Sequence, residues 1–248
     1  MASLTDTQAR PCPPPTQEGY FITIEGIDGA GKTTQIEVLA AWFEAQGYEV
    51  VRTRNPGGTR LGEALRRLVL TPETETGIEP LDPWAEVYLY LADRVHHIAQ
   101  VIRPALTRGA VVLCDRYTDS TLAYQGWGRG LDIATLTTLT TLAQGDMIPR
   151  FTILLDGNPT VLQTRVSQRG GKTDRFEQEA QAFYTRVREG FLHLANQDPQ
   201  RFIVFNAELP ADEVSQALRA WLAQHHTKPL TDATSQPLKT TLPVYLPH

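Results

Sequence analysis

Short β-branched and aromatic runs alternate along the chain with longer stretches whose apolar residues recur every three or four positions. Tyr20-Phe21-Ile22-Thr23-Ile24-Glu25 is of the first kind and predicts a strand; Ile36, Leu39, Ala40 and Phe43 then predict a helix over 32–46 that Gly47 stops. A strand over 48–53 and a helix over 59–70 follow. Asp82 and Pro83 form an N-cap with proline at the first helical position, opening a long helix toward Gln100 with an extension past Pro104. Its apolar stripe is Val87, Leu91, Val95 and Ile98. Strand 110–114 leads into a polar, glycine-containing loop, then a helix from about Asp132 to Ala143, strand 151–156 and a helix from Pro159. The remainder reads as a glycine-basic segment over 168–175, helix 176–196, strand 202–206 and helix 210–224. Strands alternating with helices predict an α/β fold, a parallel five-stranded sheet with helices on both faces. In such sheets ligands bind beyond the carboxyl ends of the strands.

Residues 1–18, with Pro11, Pro13, Pro14 and Pro15, and the Thr- and Pro-rich residues 227–248 carry no such period, so both ends are expected to be disordered or loosely docked. A single domain over 19–226 accounts for the rest. At 248 residues and 41% hydrophobic content the chain is long enough to bury one full α/β core. A net charge of −5 argues against general affinity for nucleic acid or anionic membranes, so any phosphate contact is focused. Cys12 and Cys114 fit neither a disulfide framework nor a zinc site, and no stretch approaches the length of a membrane span. The expectation is a cytoplasmic protein.

The loop after the first strand reads Gly26-Ile27-Asp28-Gly29-Ala30-Gly31-Lys32-Thr33, with Thr34 next, a complete G-x-x-x-x-G-K-[ST] motif in its required strand–loop–helix setting. Its glycines let backbone N–H groups turn toward phosphate oxygens and the helix N-terminus adds positive potential. Lys32 reaches the β- and γ-phosphates, and the Thr33 hydroxyl is a ligand for Mg²⁺. Asp28 introduces a negative charge where polyphosphate comes close. Asp115, directly after Val111-Val112-Leu113-Cys114, is placed to orient Mg²⁺ or to cap a strand, and Arg116 adjoins it at the ligand end of the sheet. Arg54 follows the second strand, and position alone leaves it open between an acceptor phosphate and a surface carboxylate. Tyr90 and Arg94 share a helix face, either as a stacking and hydrogen-bonding pair for a nucleobase or as a core-edge ring with a snorkelling arginine. His96 and His97 adjoin rather than sit at metal spacing. The segment Gln168-Arg169-Gly170-Gly171-Lys172-Thr173-Asp174-Arg175 has the flexible glycines and cations of a short lid, or of a solvated basic loop.

Taken together, Phe21 through Gln35, the loop Thr53-Arg54-Asn55-Pro56-Gly57-Gly58-Thr59, Ala92-Asp93-Arg94, and Asp115-Arg116-Tyr117 with Ser120, Tyr124 and Gln125 resemble thymidylate kinases, over about residues 19 to 224. That resemblance implies a P-loop NTPase fold with a short lid, ATP as co-substrate with Mg²⁺, and phosphoryl transfer to thymidine 5′-monophosphate (dTMP). It also implies a homodimer. By the same resemblance the loop from Gly26 to Thr34 binds ATP, Thr33 and Asp115 place the metal, and Asp28 accepts a hydrogen bond from the acceptor's 3′-hydroxyl. Arg54 and Arg116 hold the acceptor phosphate, Tyr90 stacks on thymine and Arg94 bonds a base carbonyl. Tyr124 crowds the sugar's 2′ position, while Thr121 and Gln125 line the same pocket. Gly29 and Ala30 leave the loop without an arginine, as in bacterial-type members, so Lys32, Arg116 and the lid residues Arg169 and Arg175, with Lys172 as a further cation, carry the catalytic charge. Asn55 departs from the glutamate many of those members carry. The competing expectations are a kinase for another nucleoside monophosphate or for a deoxynucleoside, and a non-catalytic ATP-dependent binding module.

Overall fold

The computed structural model describes residues 19–169, 175–176 and 179–225 of the chain, with the side chain of Arg169 left out. Five parallel strands form one sheet: β1 (Tyr20–Glu25), β2 (Val50–Arg54), β3 (Val111–Asp115), β4 (Phe151–Asp156) and β5 (Phe202–Asn206), in spatial order β2-β3-β1-β4-β5. The three central strands are buried along nearly their whole length, as a sheet covered on both faces requires. Register brings the functional ends together: Asp115 lies opposite Ile24 of β1 and Arg54 of β2.

Helices α1 (Lys32–Ala45), α2 (Arg60–Leu70), α3 (Glu73–Thr76), α4 (Pro83–His97), α5 (Arg103–Thr107), α6 (Thr118–Thr121), α7 (Ile133–Gln144), α8 (Pro159–Arg169), α9 (Gln181–Gln197) and α10 (Ala211–His225) complete the described fold. Asp82 caps α4 as expected, its carboxylate accepting from the amides of Trp84 and Ala85. The largest apolar cluster joins Ile22, Ile24, Leu39 and Phe43 to Ile153, Phe191 and Trp221, while Phe21, Val112 and Tyr117 pack on Ile98 and Ile102.

The fold differs from the sequence expectation in four places. The long helix passes through a π-helical stretch, Ile98–Ile102, before α5. Val95, assigned to the buried stripe, is 53% exposed, whereas Val87, Leu91 and Ile98 are buried. The expected polar loop after β3 is instead α6 running into π-helical Leu122–Gly128, which turns Tyr124 and Gln125 inward. Their burial outweighs the weak helix preference of the local glycines. The helix predicted from residue 176 begins at Gln181, because Arg175 and Phe176 dock elsewhere: the Arg175 amide donates to the Leu70 carbonyl. Residues 170–174, including Lys172, the leader 1–18 and the tail 227–248 lie outside the described residues.

Candidate active site

The glycine loop is held open by conformations that suit only glycine. Gly29 adopts φ 83° and a side chain there would run into the Leu162 carbonyl, so the turn packs directly on α8. Gly31 caps α1 without a side-chain acceptor, which leaves the first amides of that helix for a ligand. Lys32 is buried and turned back, its ammonium donating to the carbonyls of Gly26 (3.2 Å) and Ile27 (3.1 Å) and lying 3.7 Å from Asp28. Burial lowers its pKa, with the charge of Arg116 acting in the same direction. Thr33 and Thr34 are exposed at the start of α1.

Arg116 sits between this loop and the acceptor side. Its backbone is left-handed, φ 66°, an unusual state for arginine that aims the side chain across the sheet end. The guanidinium donates to the Gly26 carbonyl (3.0 Å), Asp28 Oδ1 (2.7 Å), Ser120 Oγ (3.2 Å) and the Tyr124 hydroxyl (3.0 Å). Next to it, Asp115 Oδ1 is buried without a hydrogen-bond partner among the described residues. Beneath both, Glu25 accepts from the Tyr117 amide and from Ser120 Oγ. Burial, then the charge of Asp119, pushes its carboxyl up to about 7.

A cavity opens from Asp28 and Arg116 toward α4, where Tyr90, Arg94, Thr121, Tyr124 and Gln125 line it. Arg94 is 1% exposed, sits 4.7 Å from the Tyr117 ring centroid and donates to Asn55, Thr118 and Thr121. The sequence alternatives for Arg94 thus resolve against snorkelling. Gln125 donates to Glu86, a buried carboxylate that also takes Arg129 and the lid residue Arg175. Arg175 further donates to the Val69 carbonyl at the end of α2. Arg169 ends α8.

Arg54 stands apart from the cavity lining. Its guanidinium forks onto Glu63 at 2.8 and 3.3 Å on the surface, and Arg66, one turn further along α2, lines the cavity in its place. Arg66 escaped the sequence reading because it lies among Arg60 and Arg67, whose pattern is that of a solvated helix. Phe176 was also missed, although an aromatic directly after the last lid cation was a usable signal; it too lines the cavity. His97 is buried against Thr53 (2.6 Å), away from any cluster of three metal-ligating side chains among the described residues.

The sequence profile of the thymidylate kinase family matches residues 24–218. Among curated relatives, the thymidylate kinase of Chromohalobacter salexigens is 49% identical over 212 residues, covering 86% of this chain and 97% of that protein. The thymidylate kinase of Deinococcus radiodurans is 48% identical over 207 residues, 84% and 98% of the two chains. The crystal structure of thymidylate kinase from Ehrlichia chaffeensis superposes with a TM-score of 0.65 at 34% identity, covering 83% of this chain and 99% of that one. With the glycine loop, the Asp115-Arg116 pair and the cavity at one end of a P-loop sheet, this chain belongs to the thymidylate kinase family.

Proposed function

We propose that this enzyme transfers the γ-phosphoryl group of ATP to dTMP, giving dTDP and ADP. The observation that carries the proposal is Arg94: a fully buried guanidinium lining the same cavity as Asp28 and Arg116. Such a charge is expensive to bury unless it recognises something. Tyr90 supplies the stacking face beside it, Thr121 and Gln125 the neighbouring polar edge, and Asp28 accepts the sugar 3′-hydroxyl. Arg116, with Arg66 facing it and Arg54 on the rim, draws the acceptor phosphate.

The dominant difficulty is repulsion between two polyanions, not proton removal, since a nucleoside monophosphate already carries about −1.5 to −2 charges near neutral pH. Lys32, the amides of Gly29 to Thr34 and the lid residues Arg169 and Arg175 offset that repulsion and hold donor and acceptor in line. Bound Mg²⁺ supplies charge neutralisation across the phosphate oxygens. The orphaned Oδ1 of Asp115 and the exposed Thr33 hydroxyl fit a metal that takes one or two protein ligands and completes its shell with phosphate and water.

The enzyme is further proposed to act as a homodimer in the cytoplasm. The outer face of α4 presents Ala85, Tyr88, Ala92 and Val95, and the π-helical stretch after it Ala99, all exposed alanine, valine or tyrosine at helical spacing. No helix among the described residues is long and apolar enough to cross a membrane, and Cys114 is a buried thiol whose pKa burial raises. Turnover measured as ADP release with dTMP, dUMP and UMP side by side tests the acceptor. Thymidylate is expected to be fastest, and equal rates with all three would overturn the choice of dTMP as acceptor and the assignment of Tyr124.

A further inference from the structure

The carboxamide of Asn55 is 2% exposed, and its neighbours dictate which way it faces. Its Oδ1 accepts from Arg94 Nε (3.0 Å) and Nη2 (2.5 Å), while its Nδ2 donates to Asp93 Oδ2 (2.5 Å). A guanidinium only donates and a carboxylate only accepts, so an amide bridging the two has a single workable orientation. Asp93 Oδ2 also accepts from the Gly57 amide (3.1 Å), which fixes the carboxylate to the loop that carries Asn55. Chain-adjacent Asp93 and Arg94 are thereby tied to β2's end through one side chain.

The consequence for Arg94 follows from its donors. A guanidinium has five N–H groups. Nε and one Nη2 hydrogen go to Asn55, the other Nη2 hydrogen to Thr121 and one Nη1 hydrogen to Thr118. The second Nη1 hydrogen has no partner among these contacts, and Arg94 lines the cavity. Without Asn55 the fork would lose two of its restraints and its plane would be free to tilt.

We propose that Asn55 and Asp93 form a matched pair that holds the plane of Arg94, making Asn55 a positioning residue for recognition of the acceptor base. The inference rests on Arg94 contacting that base. It requires a donor at 55 facing an acceptor at 93: an aspartate at 55 would set two carboxylates against each other, and an asparagine at 93 would relieve that repulsion while giving up the acceptor that the Gly57 amide uses.

The test compares the wild type with Asn55→Asp, Asp93→Asn and the double variant carrying both exchanges, with kcat and KM measured separately for dTMP and ATP. Asn55→Asp is expected to raise KM for dTMP roughly tenfold, equivalent to about 1.4 kcal/mol, with KM for ATP unchanged. Asp93→Asn, which keeps an acceptor for Asn55 and for the Gly57 amide, should stay within about threefold of the wild type, and the double exchange, which removes the facing carboxylates but sets an amide donor beside the Gly57 N–H, should recover part of the loss in KM for dTMP. Equal losses for ATP and dTMP, or a double variant no better than Asn55→Asp, would overturn the proposal. If Asn55→Asp does not fold, the double variant decides alone: a dTMP KM raised tenfold refutes it and a smaller rise supports it. A wild type inactive on dTMP would defeat the functional assignment, whereas an active wild type without rescue defeats only this inference.

Discussion

The phosphate loop and the base-facing end of the cavity use arginine and lysine in opposite ways. In the loop, Lys32 and Arg116 rest on main-chain carbonyls and on Asp28, oxygen atoms of the kind a polyphosphate brings with it. At the other end, Arg94 is locked by side chains it has no reason to release. The first arrangement gives the buried cations oxygen partners of the kind a substrate can displace. The second is a finished mould. Exchange of one set of oxygens for another yields little net binding, so the loop's contribution is expected in the transition state, whereas the mould acts on ground-state recognition.

The sharpest way to break that contrast is Lys32→Ala. Loss of one preorganised charge-stabilising donor is expected to lower kcat by on the order of 10² to 10³, about 3 to 4 kcal/mol. Folding stability should fall little, because burial already disfavours the ammonium and the Gly26 carbonyl keeps Arg116 as a donor. Steady-state turnover and a thermal midpoint on the same preparation separate the two. Turnover within tenfold of the wild type would remove Lys32 from the reaction.

How much of this was legible beforehand divides along the same line. The loop is a contiguous motif in which each position has a backbone or charge requirement, so Gly26 to Thr34 could be named from spacing. All five strands were placed, with ends shifted by up to two residues, because buried parallel strands are continuous apolar runs. The cavity is assembled from α2, α4, α6, the π-helical turn after it and Phe176, and no local period marks which polar side chain of a helix will be buried. Arg66 is indistinguishable in sequence from its solvated neighbours, and Arg54, whose position left an acceptor phosphate and a surface carboxylate both open, pairs with Glu63 nine residues on. The π-helical turn at Leu122–Gly128 contains two glycines and looked like a loop; the inward packing of Tyr124 against Phe176 and Phe183 decides its conformation, and neither ring is near it in sequence.

Two buried groups, His97 and Glu25, respond to pH in opposite directions. His97, buried behind the acceptor pocket, has its pKa lowered from 6.5 to about 4 by burial and by the charges of Arg94 and His96. Between those values the unfolded chain binds a proton that the folded one does not, so stability is lost as pH falls through the window. Glu25, under the phosphate loop, is raised to about 7, so the folded state holds the extra proton and stability is lost as pH rises from 4.5 toward 7. Asp93, raised to about 6 by burial, acts in the same sense as Glu25. Comparing wild type with His97→Gln isolates the histidine. The variant's stability, relative to the wild type, should improve by roughly 2 kcal/mol on going from pH 8 to pH 5, read from urea midpoints. Parallel pH profiles would show that His97 is not held neutral.

The smallest expected effect probes the boundary between the two ends, where Tyr124 touches both. Its hydroxyl accepts from Arg116 at 3.0 Å and lies 3.5 Å from Asp28, while its ring packs edge-on to Phe176 at a centroid distance of 5.4 Å. Arg116 and Asp28 remain paired at 2.7 Å without it, so Tyr124→Phe removes bulk from the sugar pocket without breaking the charge pair. A ribose 2′-hydroxyl then meets space in place of a fixed oxygen. Discrimination between dTMP and its 2′-hydroxylated counterpart, measured as the ratio of kcat/KM, should fall by about 1 kcal/mol, or roughly fivefold, with kcat for dTMP nearly unchanged. A drop in kcat with the ratio preserved would move Tyr124 to the charge-stabilising side and show that Arg116 depends on the hydroxyl for its aim, in which case the mould extends further toward the reacting phosphate than Arg94 alone implies.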